Sequence, residues 1–155
     1  MSYIVTRGRE ADMAGASKPT SFRLDPDILE ELKRRARESG VTINTLVERF
    51  VDEGLRHESH PLIVFRDAAG GRRPALAGTR LDLARVIDTF DAAEGDAVTR
   101  IRETSEYLDI PEAYVRACIS YYADFKEEVD TWRDRERETS ERARAAWERE
   151  QAVLT

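Results

Sequence analysis

The sequence predicts a mainly α chain. A short alternating segment runs directly into a pair of helices, and a small β-hairpin with three further helices and a long charged C-terminal helix follows. Three observations carry this. Lys18-Pro-Thr-Ser-Phe-Arg-Leu-Asp25 alternates with a period of two just before a helix start. Apolar residues then recur at helical spacing along residues 28–51 and again along 83–125. The last thirty residues turn abruptly to interspersed charge.

In a strand over residues 18–24, Thr20, Phe22 and Leu24 face one way and Pro19, Ser21 and Arg23 the other. One strand this short has unpaired edges and buries little, so a second copy of the chain is the simplest remedy. Residues 1–17 before it are rich in Gly, Ala and Ser and read as a flexible arm. Asp25-Pro26-Asp27 starts a helix: Asp25 caps free N–H groups, Pro26 suits the first position, and Asp27 favours the positive dipole end. Ile28, Leu29, Leu32 and Ala36 form its stripe and Gly40 its left-handed stop. Thr42 caps a second helix with Leu46, Val47, Phe50 and Val51 inward, and Gly54 weakens its end. These 40 or so residues are too few for a good core alone.

From Lys18 to Arg56 the chain resembles the ribbon-helix-helix DNA-binding fold of the CopG, Arc and MetJ type. The ordered combination of alternating strand, Asp-Pro cap and Ser39-Gly40-Val41-Thr42 turn carries the resemblance. It implies an intertwined homodimer with Phe22, Leu24, Leu32, Leu46, Val47 and Phe50 as dimer core. It also implies operator DNA as partner, with base contacts from Ser21 and Arg23 and from Lys18 at the edge. Arg23 has the donors to pair with guanine O6 and N7. Thr42, Ile43 and Asn44, at the second helix's N-terminus, would bind phosphate. A ribbon-helix-helix that serves only as a dimeriser is the plainer alternative. On this reading residues 18–57 are one domain and 58–61 a linker, from the polar break His57-Glu-Ser-His60-Pro61.

Leu62-Ile-Val-Phe65 reads as a strand, Asp67-Ala-Ala-Gly-Gly71 as a turn, and residues 72–76 as a return strand. Leu83, Val86, Ile87 and Phe90 mark one helix, and Val98, Ile101, Tyr107 and Leu108 another. A last helix opens at Pro111 with the stripe Tyr114, Val115, Cys118, Ile119, Tyr122 and Phe125. Gly71-Arg-Arg-Pro-Ala-Leu-Ala-Gly-Thr-Arg80 and Pro111-Glu-Ala-Tyr-Val-Arg-Ala-Cys-Ile-Ser-Tyr-Tyr122 are similar to the DUF433 family of small three-helix, homeodomain-like domains. The resemblance covers residues 62–125 and a little beyond. It implies an antitoxin role beside a PIN-like ribonuclease toxin. Thr79 and Arg80 read first as a turn that pins the hairpin to the helices, rather than as a contact to DNA or toxin.

The tail, residues 126–155, carries seven basic and nine acidic groups and reads as a helix continuing from Pro111. Such a helix has no place on its own chain's small domains for Trp132 and Trp147. Those two, with Arg133, Arg135 and Arg142, are the candidate toxin contacts, since an Arg or aromatic delivered into a carboxylate cluster blocks it. The plain alternative is a solvated helix with its Trp residues packed across a dimer.

Composition limits the remaining classes. The net charge is −6, and residues 1–59 hold ten basic and eleven acidic groups, so any DNA contact is local. Residues 60–125, with eight basic and eleven acidic groups, are poorly suited to a second DNA reader. The single Cys118 excludes an intrachain disulfide and a multi-thiolate metal site. No metal, cofactor or enzymatic activity is expected, because nucleotide loop, catalytic triad order and reactive thiol setting are all missing. No apolar run is long enough to span a bilayer and no signal-like segment opens the chain, so no membrane partner and a cytoplasmic location are expected. An antitoxin-type repressor leads these readings. A plain repressor and a dimeric scaffold stand beside it.

Overall fold

The computed structural model describes residues 21–68 and 71–154. Among them are six helices and one antiparallel hairpin, a mainly α fold. The elements are α1 (Pro26–Ser39), α2 (Ile43–Ser59), β1 (Ile63–Ala68), β2 (Gly71–Leu76), α3 (Leu83–Ala92), α4 (Ala97–Leu108), α5 (Glu112–Asp124) and α6 (Lys126–Leu154). The chain divides into two compact units, residues 1–43 and 44–155.

In the first unit, α1 begins as its sequence dictates. The Asp25 carboxylate accepts the Asp27 N–H at 2.9 Å, and Pro26 opens the first turn. It ends at Gly40, whose φ of +65° is left-handed and whose N–H turns back to the Ala36 and Arg37 carbonyls. Leu32 and Ala36 are buried. Residues 21–25 carry no regular structure and are exposed. The expected ribbon strand is therefore not formed within one chain, where no described segment supplies the neighbouring strand that its backbone groups need. Lys18, with the rest of residues 1–20, lies outside the described residues.

The second unit is built on a core of Ile63, Leu76, Leu83, Val86, Ile87, Ile101, Val115, Cys118, Tyr121 and Val129, which joins the hairpin to α3, α4, α5 and the start of α6. The β1–β2 register pairs Ile63 with Leu76 and Phe65 with Pro74. Arg66 and Arg73 stand directly opposite one another, a repulsive arrangement unless each is drawn elsewhere. Arg66 donates to the Thr79 and Leu81 carbonyls, both at 2.9 Å, while Arg73 pairs with Asp82. The same bonds strap the Gly78-Thr79-Arg80 loop to the hairpin. Thr79 Oγ1 also donates to the Leu76 carbonyl and accepts the Leu81 N–H, each at 3.1 Å. This bonding is that of a pinning turn, and the Arg80 side chain stays exposed.

Four expectations are corrected. The break at 57–61 is not a loose linker: α2 continues through Gly54 to Ser59, so His57 is helical, and His60 is buried. Tertiary bonds override the weak helix propensity there, since Glu53 pairs with Arg72, and Arg56 donates to Tyr121 at 2.9 Å and to Glu128 at 2.6 Å. The helix from Pro111 does not run unbroken into the tail. Phe125 leaves helical geometry (φ −128°, ψ 39°) because its ring turns inward against Tyr121 at 4.6 Å and beneath the Arg56 guanidinium at 4.4 Å. On α4, Val98 and Tyr107 face solvent, and Thr104 is buried beside Ile101. Thr104 turns inward at no polar cost, because its hydroxyl donates to the Arg100 carbonyl at 2.7 Å. Finally, Trp132 does find a place on its own chain. It is half-buried, and its ring tip lies 3.1 Å from where a Cβ on Gly71 would stand. Gly71 also has φ +126°, so glycine serves both the hairpin turn and the indole's approach.

Burial pushes the Cys118 thiol from 9.0 up to about 12, and pushes the Tyr121 hydroxyl from 10.0 up to about 12 against the opposing Arg56 bond. Both folded values exceed the unfolded ones, so the neutral forms favour the fold. Stability from these groups is full below the unfolded values and falls as pH rises from 9 towards 12. Urea midpoints measured across that range are expected to drop, and Cys118→Ala should make the drop shallower. An equally steep drop in the variant would remove Cys118 as a cause.

Candidate functional site

Two surfaces hold the residues singled out from the sequence. The first group comprises residues 21–24 and, taken separately, the start of α2. Ser21 and Arg23 are exposed, and neither makes a hydrogen bond or ion pair among the described residues. Three of the four cations of α1 differ. Lys33 pairs with Glu30 at 2.7 Å, Arg34 bridges Glu31 and Glu38 at 2.6 and 2.7 Å, and Arg35 reaches Glu31 at 2.6 Å. The bonds from Arg34 and Arg35 hold the Glu31 carboxyl down to about 2. Among the described residues Arg23 is thus an unpartnered guanidinium, next to a helix most of whose cations are paired.

Thr42 precedes α2 directly, with Ile43 and Asn44 in its first turn. Thr42 and Asn44 are exposed and Ile43 is half-buried. The dimer-core candidates divide. Leu32 and Leu46 are already buried inside the chain, and Val47 and Phe50 are half-buried. Phe22 remains 58% and Leu24 37% exposed. Val51, expected inward with Leu46, Val47 and Phe50, is instead exposed, as is Leu55 one turn further along, which the sequence stripe does not include.

The second surface is α6. Its first two turns belong to the core through Val129. Arg133 is anchored there: it donates to Asp88 at 2.7 Å, Asp91 at 2.7 Å and Asp130 at 3.2 Å. Burial alone would pull this guanidinium's pKa down, but the bonds to Asp88 and Asp91 outweigh it and raise the value. Arg133 is therefore committed inside its own chain and is not an arm to deliver elsewhere. Arg135 lies over the Trp132 ring at 5.3 Å. Beyond Arg133 the helix carries local pairs, including Arg137–Asp134, Arg142–Glu138 and Arg144–Glu148. Trp147 is 60% exposed.

The polar joint between α2, α5 and α6 escaped the sequence reading altogether. Burial pulls the Arg56 guanidinium down, yet its bonds to Glu128 and Tyr121 leave it well above its ordinary value. Beside it, His60 Nε2 meets Asp124 Oδ2 at 3.0 Å. No group of His, Cys, Asp and Glu among the described residues is arranged to hold a metal ion. No helix there is long and apolar enough to cross a membrane. Comparison of the chain with family models, with curated proteins and with solved structures gives no match.

Proposed function

We propose that this chain is a homodimeric, sequence-specific DNA-binding repressor of the ribbon-helix-helix kind. One observation carries the reading. Phe22 and Leu24 are exposed apolar side chains that alternate with the unpaired, exposed Ser21 and Arg23. Pairing two such segments would cover the apolar pair and leave two arginines on one polar face suited to a major groove. Thr42, Ile43 and Asn44 would position the phosphate backbone. With a net charge of −6, binding would rest on local contacts, and its phosphate contacts would make it weaken as salt rises, with a slope set by their number.

Arg23→Ala is expected to remove about 1–3 kcal/mol of specific binding and to relax one base position. The assay is a selection of bound sequences from a random DNA pool, followed by titration of the winner. Unchanged affinity in the variant, or no enriched sequence for the wild type, would remove the DNA reading and leave the dimeric scaffold.

A second role is favoured by α6, which runs on past its anchor at Arg133 with Trp147 exposed. In this role the repressor is an antitoxin and the distal helix holds a PIN-like ribonuclease. The candidate contacts are Arg135, Arg142 and Trp147, with Arg133 removed from the set. Co-expression with such a nuclease and capture through the full chain tests it. Arg135→Glu with Arg142→Glu should abolish capture, and capture that survives both changes would place the nuclease elsewhere.

A further inference from the structure

The face that α6 turns to its own core does not stop where the core stops. Val129 is buried, and Trp147 lies about five helical turns further along on the same side. Between them Arg133, Glu136, Ser140 and Ala143 continue the line at alternating spacings of four and three, the seam of a two-helix pair. As far as Arg133 the seam is covered by α3, through Asp88 and Asp91. From Glu136 onward it is exposed. Beside the covered end, α3 and α4 leave an open groove of about 370 Å³, lined by Asp88, Ala92 and Tyr107 among others. The chain's own Trp147 cannot reach it. The helix is continuous, and Trp147 stands about 21 Å beyond Arg133.

We propose that the distal half of α6 pairs antiparallel with α6 of a second copy, crossing at Ser140, so that each Trp147 enters the α3–α4 groove of the other. The charges select this arrangement. About a dyad at Ser140, Glu136 meets Arg144 of the other copy, and Trp147 arrives beside the Arg133–Asp88 pair at the groove. Among the described residues Glu136 makes no ion pair, and Arg144 makes only an exposed one with Glu148. A parallel pair would set Glu136 against Glu136 and leave the grooves empty. Ser140 and Ala143 at the crossing are small enough for two helices to approach closely. The paired stretch, Arg133 to Trp147 in each copy, is about 21 Å long, about four turns of a two-helix seam. This gives Trp147 a second copy of the chain as its occupant in place of a foreign nuclease. Arg135 and Arg142 remain on the opposite face, and the inference does not rest on the DNA reading.

The test is cysteine cross-linking of the full chain under mild oxidation, with buried Cys118 as an inert background. Ser140→Cys is expected to give a disulfide-linked dimer. Glu138→Cys, on the far face, and Glu136→Cys, about 12 Å from its mate in an antiparallel pair, should not. Glu136→Arg or Arg144→Glu, each in the Ser140→Cys background, should lower the linked fraction about tenfold, and the two together should restore it. Trp147→Ala should lower it as well. Absence of a link at Ser140→Cys, or equal linking at Glu138→Cys, would overturn the proposal. A link at Glu136→Cys would replace it with a parallel pair. Phe22→Asp, which should abolish DNA binding, is expected to leave the Ser140→Cys link intact, so failure of either reading is seen separately.

Discussion

Tyr121→Ala is expected to cost about 3–5 kcal/mol, the range for deleting a buried aromatic side chain. That is a large part of the roughly 5–15 kcal/mol that holds a domain of ordinary stability. The reason is its position. Tyr121 is the largest of the fully buried side chains. Its ring meets His60 at 5.1 Å, Phe65 at 6.5 Å and Phe125 at 4.6 Å, so one side chain joins α5 to β1, to the end of α2 and to the break before α6. Its hydroxyl accepts from Arg56. Truncation opens a cavity and strips a partner from a guanidinium that is 18% exposed. Tyr121→Phe keeps the ring and loses only the hydroxyl, at about 1 kcal/mol, because Glu128 still holds Arg56. Urea unfolding of the two variants followed by circular dichroism separates the terms. Equal losses would mean that the hydroxyl, not the ring, carries the site.

The sequence reading passed over this residue for a physical reason. The α5 stripe in the sequence runs through Tyr114, Val115, Cys118, Ile119, Tyr122 and Phe125, and Tyr121 and Tyr122 are adjacent, so periodicity alone favours neither strongly. The decision was made by Arg56, which lies 65 residues away in sequence and supplies the polar partner that lets a tyrosine be fully buried. The same is true of the α5–α6 break. Residues 112–154 contain no Gly or Pro to stop a helix, and the tertiary pull on Phe125 interrupts it. Elements set by local chemistry were legible: the Asp25-Pro26 start, the Gly40 stop, the hairpin within a residue or two, and the inward line of α3. Long-range ion pairs were not. Arg133 read as one of several tail arginines, and nothing in its neighbourhood announces that Asp88 and Asp91 will meet it. The exposed Ser21 and Arg23 were legible as candidates because alternation places them opposite Phe22 and Leu24. The proposed strand pairing needs a second chain, so the fold of one does not display it.

Arg133→Ala is expected to release the start of α6 from α3. Three carboxylates lose their common partner: Asp88 and Asp91, which are 42% and 45% exposed, and Asp130, which is 33% exposed. Breaking a fully buried charge pair costs about 3–5 kcal/mol, but these acids are partly solvated, so a loss of about 2 kcal/mol is expected. Tyr122 and Lys126 keep their bonds to Asp130, so the damage should centre on the contact with α3. Hydrogen exchange should accelerate along residues 126–133 while the α5 core stays protected. Adding Asp88→Asn should recover part of the loss by removing one of the stranded charges. Acid should mimic the substitution. The Lys126 bond, helped by Tyr122 and Arg133, holds the Asp130 carboxyl below its ordinary 3.8, so its contribution is present above that value and disappears as pH falls through the lowered one. In the variant that acid sensitivity should be weaker, because one of the cations favouring the ionised form is gone. Unchanged exchange along residues 126–133 would mean that Val129 and Trp132 hold α6 without help, and that the ion cluster only orients what packing has already fixed.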